Sequence, residues 1–322
     1  MSTRLEDLPN ELFVHLFSNY FHGVELYKLF SGLNIRFNNL LKLLNNIYIR
    51  LENSNDDKCL NFFSQKIHSL YIDSQHKSIH FLPLLINIRS ITLVDPTIIQ
   101  IINLLEISSN VERICIQWSN PYLINLISAR SFYELIFSAS SLENLRSCRL
   151  YLPENHSFYF EPKHCTLPLL HTIYVQITIP LADFRRIIRL CPNLIRLEIE
   201  IIDNGHSNNE TIILLNHCEH RNIRQFHVYN LLSLDILEIY IDYFSKLTKL
   251  YISMKLTSYP LDVFKQISNL IHRIYHLKQF HFRFSTHCWN IGYQQLQILK
   301  QLNPFFENIH IENKNNEIVF IN

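Results

Sequence analysis

The chain has 322 residues, of which 29 are basic and 28 acidic, so its formal net charge is +1. With 48% apolar and 18% charged residues it has the composition of a globular protein rather than a disordered one. This balanced charge, without a basic stripe, argues against nucleic acid as a partner. The seven cysteines are an odd number at scattered positions, which favours reduced thiols in a cytoplasmic or nuclear protein.

The sequence also argues against a membrane span and a secretion signal. The longest charge-free stretch, residues 164–182, is interrupted by Pro168 and Pro180 and carries polar residues. The N-terminus holds Arg4 and Glu6 and lacks the apolar centre of a signal peptide. We therefore expect no membrane partner.

A helix is predicted to start near Pro9, because proline is favoured in the first turn of a helix. The apolar residues that follow recur four positions apart, with two phenylalanines one step round the helix: Leu12, Leu16 and Tyr20, then Phe13 and Phe17. This spacing predicts one broad apolar face. Glycine often follows a helix, so Gly23 is expected to close it.

Two further short helices are predicted before residue 45. One runs roughly over residues 24–31 and is broken at Gly32, and Asn34 is a suitable N-cap for the next. Three short helices bury little core of their own. We therefore expect this segment to need a partner surface.

Residues 5–42 resemble an F-box, the helical module that docks on the Skp-type adaptor of cullin–RING ubiquitin ligases. The resemblance rests on the following residues: Leu8-Pro9, Glu11-Leu12, Leu16, Glu25-Leu26, Leu29 and Arg36-Phe37. It implies that six apolar residues bind the adaptor: Leu8, Pro9, Leu12, Leu16, Leu26 and Leu29. Which of them face the adaptor and which join the helices to each other is left open. The alternative is an ordinary helical cap on a repeat array.

A second pattern, apolar-x-x-apolar-x-apolar, returns ten times after residue 66, about every 27 residues. Its occurrences are Ile67/Leu70/Ile72, Ile88/Ile91/Leu93, Val111/Ile114/Ile116, Leu145/Cys148/Leu150, Leu170/Ile173/Val175, Leu194/Leu197/Ile199, Ile223/Phe226/Val228, Leu247/Leu250/Ile252, Leu277/Phe280/Phe282 and Phe306/Ile309/Ile311. Segments with helical apolar spacing lie between them, at residues 97–107, 181–190, 233–244, 261–274 and 293–302.

This pattern resembles a leucine-rich repeat, which implies an α/β solenoid of about ten strand–helix units. The asparagine or cysteine that usually follows the strand is absent, so we expect an irregular solenoid. The predicted organisation is an F-box over residues 1–45, a linker or first cap over 46–66, and repeats over 67–322. Residues 52–58 are the candidate linker.

The repeat also predicts a binding face. Between the apolar positions, alternate residues point to the opposite side of the sheet, the concave face of a solenoid. From the fourth strand onward this face is rich in residue types that anchor protein interfaces. The candidate substrate-binding residues are Arg149, Tyr151, Tyr174, Arg196, Glu198, His227, Tyr229, Tyr251, His281 and Arg283. The alternative is a solvated sheet face, since tyrosine favours strands in any case.

The same face carries an ambiguous charge pattern. Arg149, Arg196 and Arg283 suit an acidic or phosphorylated segment, but Glu198 and Glu200 share their side of the sheet.

No catalytic, metal or cofactor site is expected. Residues 217–220, His-Cys-Glu-His, lack a partner motif that would complete a metal site, and the His-Cys pairs at 164–165 and 287–288 have no third member. Four glycines in the whole chain leave no phosphate-binding loop.

Together the two resemblances imply a non-catalytic receptor: the substrate-recognition subunit of an SCF-type ubiquitin ligase. Its partners would be the adaptor, through it a cullin and a RING subunit, and an unknown protein substrate. The alternatives are a leucine-rich-repeat interaction scaffold with no ubiquitin role, and an enzyme with an unrecognised site in the repeats.

Overall fold

The computed structural model describes residues 8–51, 56–73, 85–107, 110–119, 142–151, 169–177, 191–201, 222–231, 233–241, 244–256, 260–286, 293–314 and 317–321. The chain forms two compact units, residues 1–153 and 154–322. Both are of the α/β class, with parallel strands at their centre.

The first unit begins with the three predicted helices, α1 (Asn10–Tyr20), α2 (Gly23–Phe30) and α3 (Ile35–Leu43). Asn34 caps α3 as predicted, since its side-chain Oδ1 accepts a hydrogen bond from the Phe37 amide at 2.9 Å. Gly32, with φ of +77°, separates α2 from α3 in the left-handed conformation that favours glycine.

The prediction for Gly23 was wrong. Gly23 does not end α1 but is the first residue of α2, where it lies against a strand. A Cβ atom at this position would lie 2.6 Å from Ile49 Cγ1 and 2.8 Å from Ile47 Cγ2. The glycine is therefore needed for the close approach of α2 to the sheet.

The helices hold together through a cluster of phenylalanines. Phe13 and Phe37 meet edge to face with ring centroids 5.2 Å apart, and Phe30 lies 4.5 Å from Phe17 and 5.5 Å from Phe37. Such ring pairs add to the stabilisation that comes from burial alone. The helical segment thus has an aromatic core of its own.

A parallel sheet follows in the first unit. Its strands are β1 (Ile47–Leu51), β2 (Ile67–Ile72), β3 (Ser90–Val94), β4 (Arg113–Gln117) and β5 (Ser147–Tyr151), each hydrogen-bonded to the next. Helix α4 (Asp57–Phe63) lies between β1 and β2 in the chain, and α5 (Ile98–Ile107) between β3 and β4. The segment interpreted as linker or first cap thus contains β1 and α4.

The second unit repeats this arrangement. Its parallel strands are β6 (Thr172–Ile177), β7 (Arg196–Ile201), β8 (Gln225–Leu231), β9 (Lys249–Lys255) and β10 (Gln279–Thr286). The described helices are α6 (Leu234–Ile241), α7 (Pro260–His272), α8 (Tyr293–Leu302) and a 3₁₀ turn, Pro304–Phe306. Of the helices predicted from spacing, only the one at 181–190 lies outside the described residues.

The tenth occurrence of the pattern was predicted to be another strand–helix unit of the repeat, and this was wrong. Strand β11 (His310–Lys314) is separated from β10 by β12 (Glu317–Ile321), and β12 is antiparallel to both. The C-terminus of the second unit is therefore a hairpin.

The register of the other nine predicted strands is confirmed. In the first unit Leu70, Ile91, Ile114 and Cys148 are successive partners, as the pattern predicts. In the second unit Tyr174, Glu198, His227, Tyr251 and His281 form one row across five strands. The apolar positions of these strands are buried, so alternate residues lie on the opposite face.

Candidate functional site

Two surfaces carry the residues singled out by sequence: the outside of the three-helix segment and the polar face of the strands. The broad apolar face predicted for α1 has a buried part and an exposed part. Phe13 and Phe17 are each 1% exposed and form the aromatic core, whereas Leu12 is 41% and Tyr20 71% exposed. Leu16, half-buried, lies between these two along the helix. We call Leu12, Leu16 and Tyr20 the α1 stripe.

The six predicted adaptor residues do not all lie on the surface. Pro9 and Leu29 are exposed and Leu8 is half-buried, but Leu26 is only 2% exposed. Leu26 belongs to α2, the helix that packs against β1. Its side chain is therefore part of the interior of the three-helix segment and does not face outward. Leu33 and Ile35 are exposed beside Gly32 and were not selected from the sequence.

The start of α1 is held by an arginine from α3. The Arg36 Nε donates to Asn10 Oδ1 at 2.9 Å, and its guanidinium also donates to the Leu8 carbonyl. The Arg36 guanidinium carbon lies 5.5 Å from the centroid of the Phe13 ring, a cation–π geometry. Arg36 thus fixes the Leu8-Pro9 segment relative to the aromatic core.

The helical segment is attached to the rest of its unit by a buried contact region. Lys28 Nζ lies 3.1 Å from Asp56 Oδ1, whose side chain is 2% exposed, and Cys59 Sγ donates to the Gly23 carbonyl at 3.4 Å. Burial raises the pKa of the Cys59 thiol to about 12, and Asp56 adds to this effect. Cys59 therefore stays protonated at neutral pH, and its thiol packs within this contact region.

In the first unit the polar sheet face carries two of the predicted substrate-binding residues. Arg149 is exposed and Tyr151 half-buried, both on β5. Arg149 pairs in register with Cys115 on β4. Burial raises the pKa of the Cys115 thiol, and the Arg149 charge opposes part of that rise.

In the second unit the carboxylate of Glu198 is enclosed by other members of the predicted set. The Glu198 side chain is 7% exposed, and its Oε1 lies 2.7 Å from the Arg196 Nε. Its other oxygen accepts a hydrogen bond from the Tyr229 hydroxyl at 3.5 Å. The Glu198 charge is thus compensated within the sheet.

Tyr174 also forms a hydrogen bond within the sheet face. It is 6% exposed, and its hydroxyl donates to Glu200 Oε2. The other oxygen of Glu200 accepts from Asn230 Nδ2 at 3.0 Å. Tyr174 and Glu198 are therefore largely enclosed by their neighbours on the sheet.

Three aromatic side chains on β8 and β9 lie close together: His227, Tyr229 and Tyr251. The Tyr229 and Tyr251 ring centroids are 5.2 Å apart, and His227 lies 5.7 Å from Tyr251. Burial and the nearby Arg196 lower the pKa of His227 to about 4. Burial and the Glu198 carboxylate raise the pKa of Tyr229 to about 12. All three rings are therefore uncharged at neutral pH.

The last two members of the set, His281 and Arg283, are exposed on β10. With Lys249 on β9 they make this end of the sheet face basic. The structure thus brings eight of the ten predicted residues together on one face of the second unit.

Within the described parts of the chain, no group of three or more His, Cys, Asp or Glu residues is placed to hold a metal ion. The three His-Cys motifs considered from the sequence lie outside those parts. None of the helices that the structure describes is long and apolar enough to cross a bilayer.

Comparison with known proteins adds no identification. No protein-family model matches the chain, and no curated protein matches it closely enough to indicate a relationship.

Proposed function

We propose that this protein is the substrate-recognition subunit of an SCF-type ubiquitin ligase. In this proposal the three-helix segment is an F-box that docks on a Skp-type adaptor, and the rest is a leucine-rich-repeat solenoid that binds a protein substrate. The adaptor would link it to a cullin and a RING subunit in the cytoplasm or nucleus.

The observation that carries the proposal is the α1 stripe. Phe13, Phe17, Phe30 and Phe37 form the internal core of the helices, whereas Leu12 and Tyr20 lie outside that core and are exposed. Exposed apolar side chains at helical spacing are typical of a helix that packs on a partner protein. Leu29 on α2 adds a further exposed apolar side chain.

The contacts of Arg36 support the same proposal. A docking segment binds with less loss of entropy when it is held in place beforehand. The bonds from Arg36 to Asn10 and to the Leu8 carbonyl hold the Leu8-Pro9 segment in this way. Leu8 and Pro9 are among the residues that the F-box resemblance assigns to the adaptor.

In this proposal the protein does no chemistry itself. It holds a substrate near the ubiquitin-charged enzyme and so raises the effective concentration of the substrate lysine. The exposed part of the sheet face supplies selectivity, and Tyr174 and Glu198 keep the exposed residues in place.

The proposal is tested by co-expressing the full chain with a Skp-type adaptor, followed by affinity capture and size-exclusion chromatography. We expect a one-to-one complex that is lost in the Leu8→Asp and Leu12→Asp variants. A soluble chain that ignores the adaptor would leave a leucine-rich-repeat interaction scaffold with no ubiquitin role.

A further inference from the structure

Strands β9 and β10 expose a basic surface on the polar face of the second unit. Their outward positions are Lys249, Tyr251, Ser253, Lys255, Gln279, His281, Arg283 and Ser285, and none of these is a carboxylate. We call Lys249, Tyr251, His281 and Arg283 the β9–β10 surface. Its composition differs from that of β7, where two carboxylates stand beside one arginine.

The carboxylates of β7 have partners on the same face. Glu198 lies against Arg196, and Glu200 accepts hydrogen bonds from Tyr174 and Asn230. In contrast, neither Lys249 nor Arg283 forms an ion pair with any residue that the structure describes. Lys249 and Arg283 are therefore two cations of β9 and β10 without a carboxylate partner among the described residues.

The pKa values of nearby groups reflect the same field. Burial and Arg196 lower the pKa of His227, Glu198 opposes this, and Lys249 adds a smaller lowering. Burial raises the pKa of Tyr251, and Arg283 opposes part of that rise. Lys249 and Arg283 thus lie near enough to these two rings to influence them.

The register gives the spacing of the two cations. Lys249 pairs with Gln279, and Arg283 lies four residues further along β10. At about 3.3 Å per residue this separates the two side chains by about 13 Å along the strands. An extended chain places the side chains of residues i and i+4 on one side at the same distance.

We propose that the β9–β10 surface binds an extended acidic segment of a partner protein, with two carboxylate or phosphate groups four residues apart on Lys249 and Arg283. The peptide between them would lie over Tyr251 and His281. Rings beside cations suit such a segment, since they contact its backbone and apolar parts.

This inference rests on the proposed function only in taking the partner protein to be the substrate of the ligase.

The test measures, by fluorescence anisotropy, the binding of three labelled peptides of the same length to the full chain. One peptide carries two glutamates four residues apart, the second carries phosphoserines at those places, and the third carries lysines. We expect the first two to bind and the third not to bind, with affinity that falls as salt is added.

The decisive variants neutralise the two cations. Loss of a charge-assisted hydrogen bond weakens binding by about tenfold or more, so K249Q and R283Q should each have this effect on the acidic peptides. The control is Lys265→Gln on α7, an exposed lysine outside the sheet face, which should leave binding unchanged. Thermal unfolding followed by circular dichroism checks that all variants are folded.

The inference is overturned if the lysine peptide binds as well as the acidic ones, or if the K249Q/R283Q double variant binds like the unaltered chain. It is also overturned if a single-stranded RNA oligonucleotide binds more tightly than the acidic peptides through the same two residues. Adaptor capture is measured separately. If the chain binds the acidic peptides but does not capture the adaptor, the ligase proposal is wrong and the peptide-binding surface remains. If the chain captures the adaptor but does not bind the acidic peptides, only the peptide-binding surface is wrong.

Discussion

Arg196 and Glu198 lie two residues apart on β7, with the Arg196 Nε 2.7 Å from Glu198 Oε1. Because successive outward positions of a strand are neighbours on one face, the pair forms within a single strand. The Tyr229 hydroxyl reaches the same carboxylate from β8 and so links the two strands. The pair also decides which cations of this face are left for a partner.

Glu198→Gln should destabilise the protein. The substitution removes the charge that compensates Arg196 and weakens the bond to Tyr229, which together correspond to about 1–3 kcal/mol. The measurement is urea-induced unfolding, with Glu307→Gln, an exposed carboxylate, as the matched control. An unchanged unfolding midpoint in Glu198→Gln would show that the pair contributes nothing.

The pH dependence of stability should carry the signature of His227. Its pKa is about 4 in the folded chain against 6.5 for an unperturbed histidine, so the unfolded chain binds the proton more readily. Stability from this group is therefore complete above about pH 6.5 and is lost as the pH falls toward 4.

Other groups titrate in the same range, so the test compares two proteins. His227→Gln should unfold with a shallower loss of stability between pH 6.5 and 4 than the unaltered chain. Parallel curves for the two proteins would contradict the low pKa of His227.

Gly23→Ala should weaken the contact between α2 and β1. The added methyl group would lie within 3 Å of carbon atoms of Ile47 and Ile49, so the helix must move outward. Overpacking of this kind costs about 1–3 kcal/mol, and urea unfolding would report it. Asn39→Ala, an exposed position on α3, is the control and should have little effect.

The sequence could predict the strands because one apolar spacing, repeated nine times, sets which residues are buried and thus the register. It also contained a signal for β1 that was missed, since Ile47, Ile49 and Leu51 alternate with polar or exposed residues within the segment interpreted as a linker or first cap. The C-terminal hairpin was not predicted because Phe306, Ile309 and Ile311 match the pattern although β12 takes the place beside β10.

The sites were predictable to a smaller extent. On α1, leucine and phenylalanine are both apolar, so spacing alone could not show that the phenylalanines pack inward and Leu12 outward. On the sheet face, the pattern predicted correctly which residues share one side. It could not predict that Tyr174 and Glu198 are buried, because that depends on contacts between strands distant in sequence.

Arg36→Lys should loosen the start of α1. Lysine keeps the charge but cannot reach both Asn10 and the Leu8 carbonyl in the geometry of the planar guanidinium. Hydrogen–deuterium exchange should become faster at the Phe13 amide, which donates to the Pro9 carbonyl at the start of α1. Arg273→Lys, which alters an exposed ion pair with Glu238 on other helices, should leave that exchange unchanged.

The most direct test of the central claim is the affinity of the full chain for a Skp-type adaptor in two matched variants. Leu12→Asp alters the α1 stripe, and Ile99→Asp places the same charge at an exposed apolar position of α5. Replacing a central apolar anchor costs about 2 kcal/mol or more, so Leu12→Asp should weaken binding by at least about thirtyfold while Ile99→Asp binds normally. Equal affinity in the two variants, or no binding by the unaltered chain, would contradict the account.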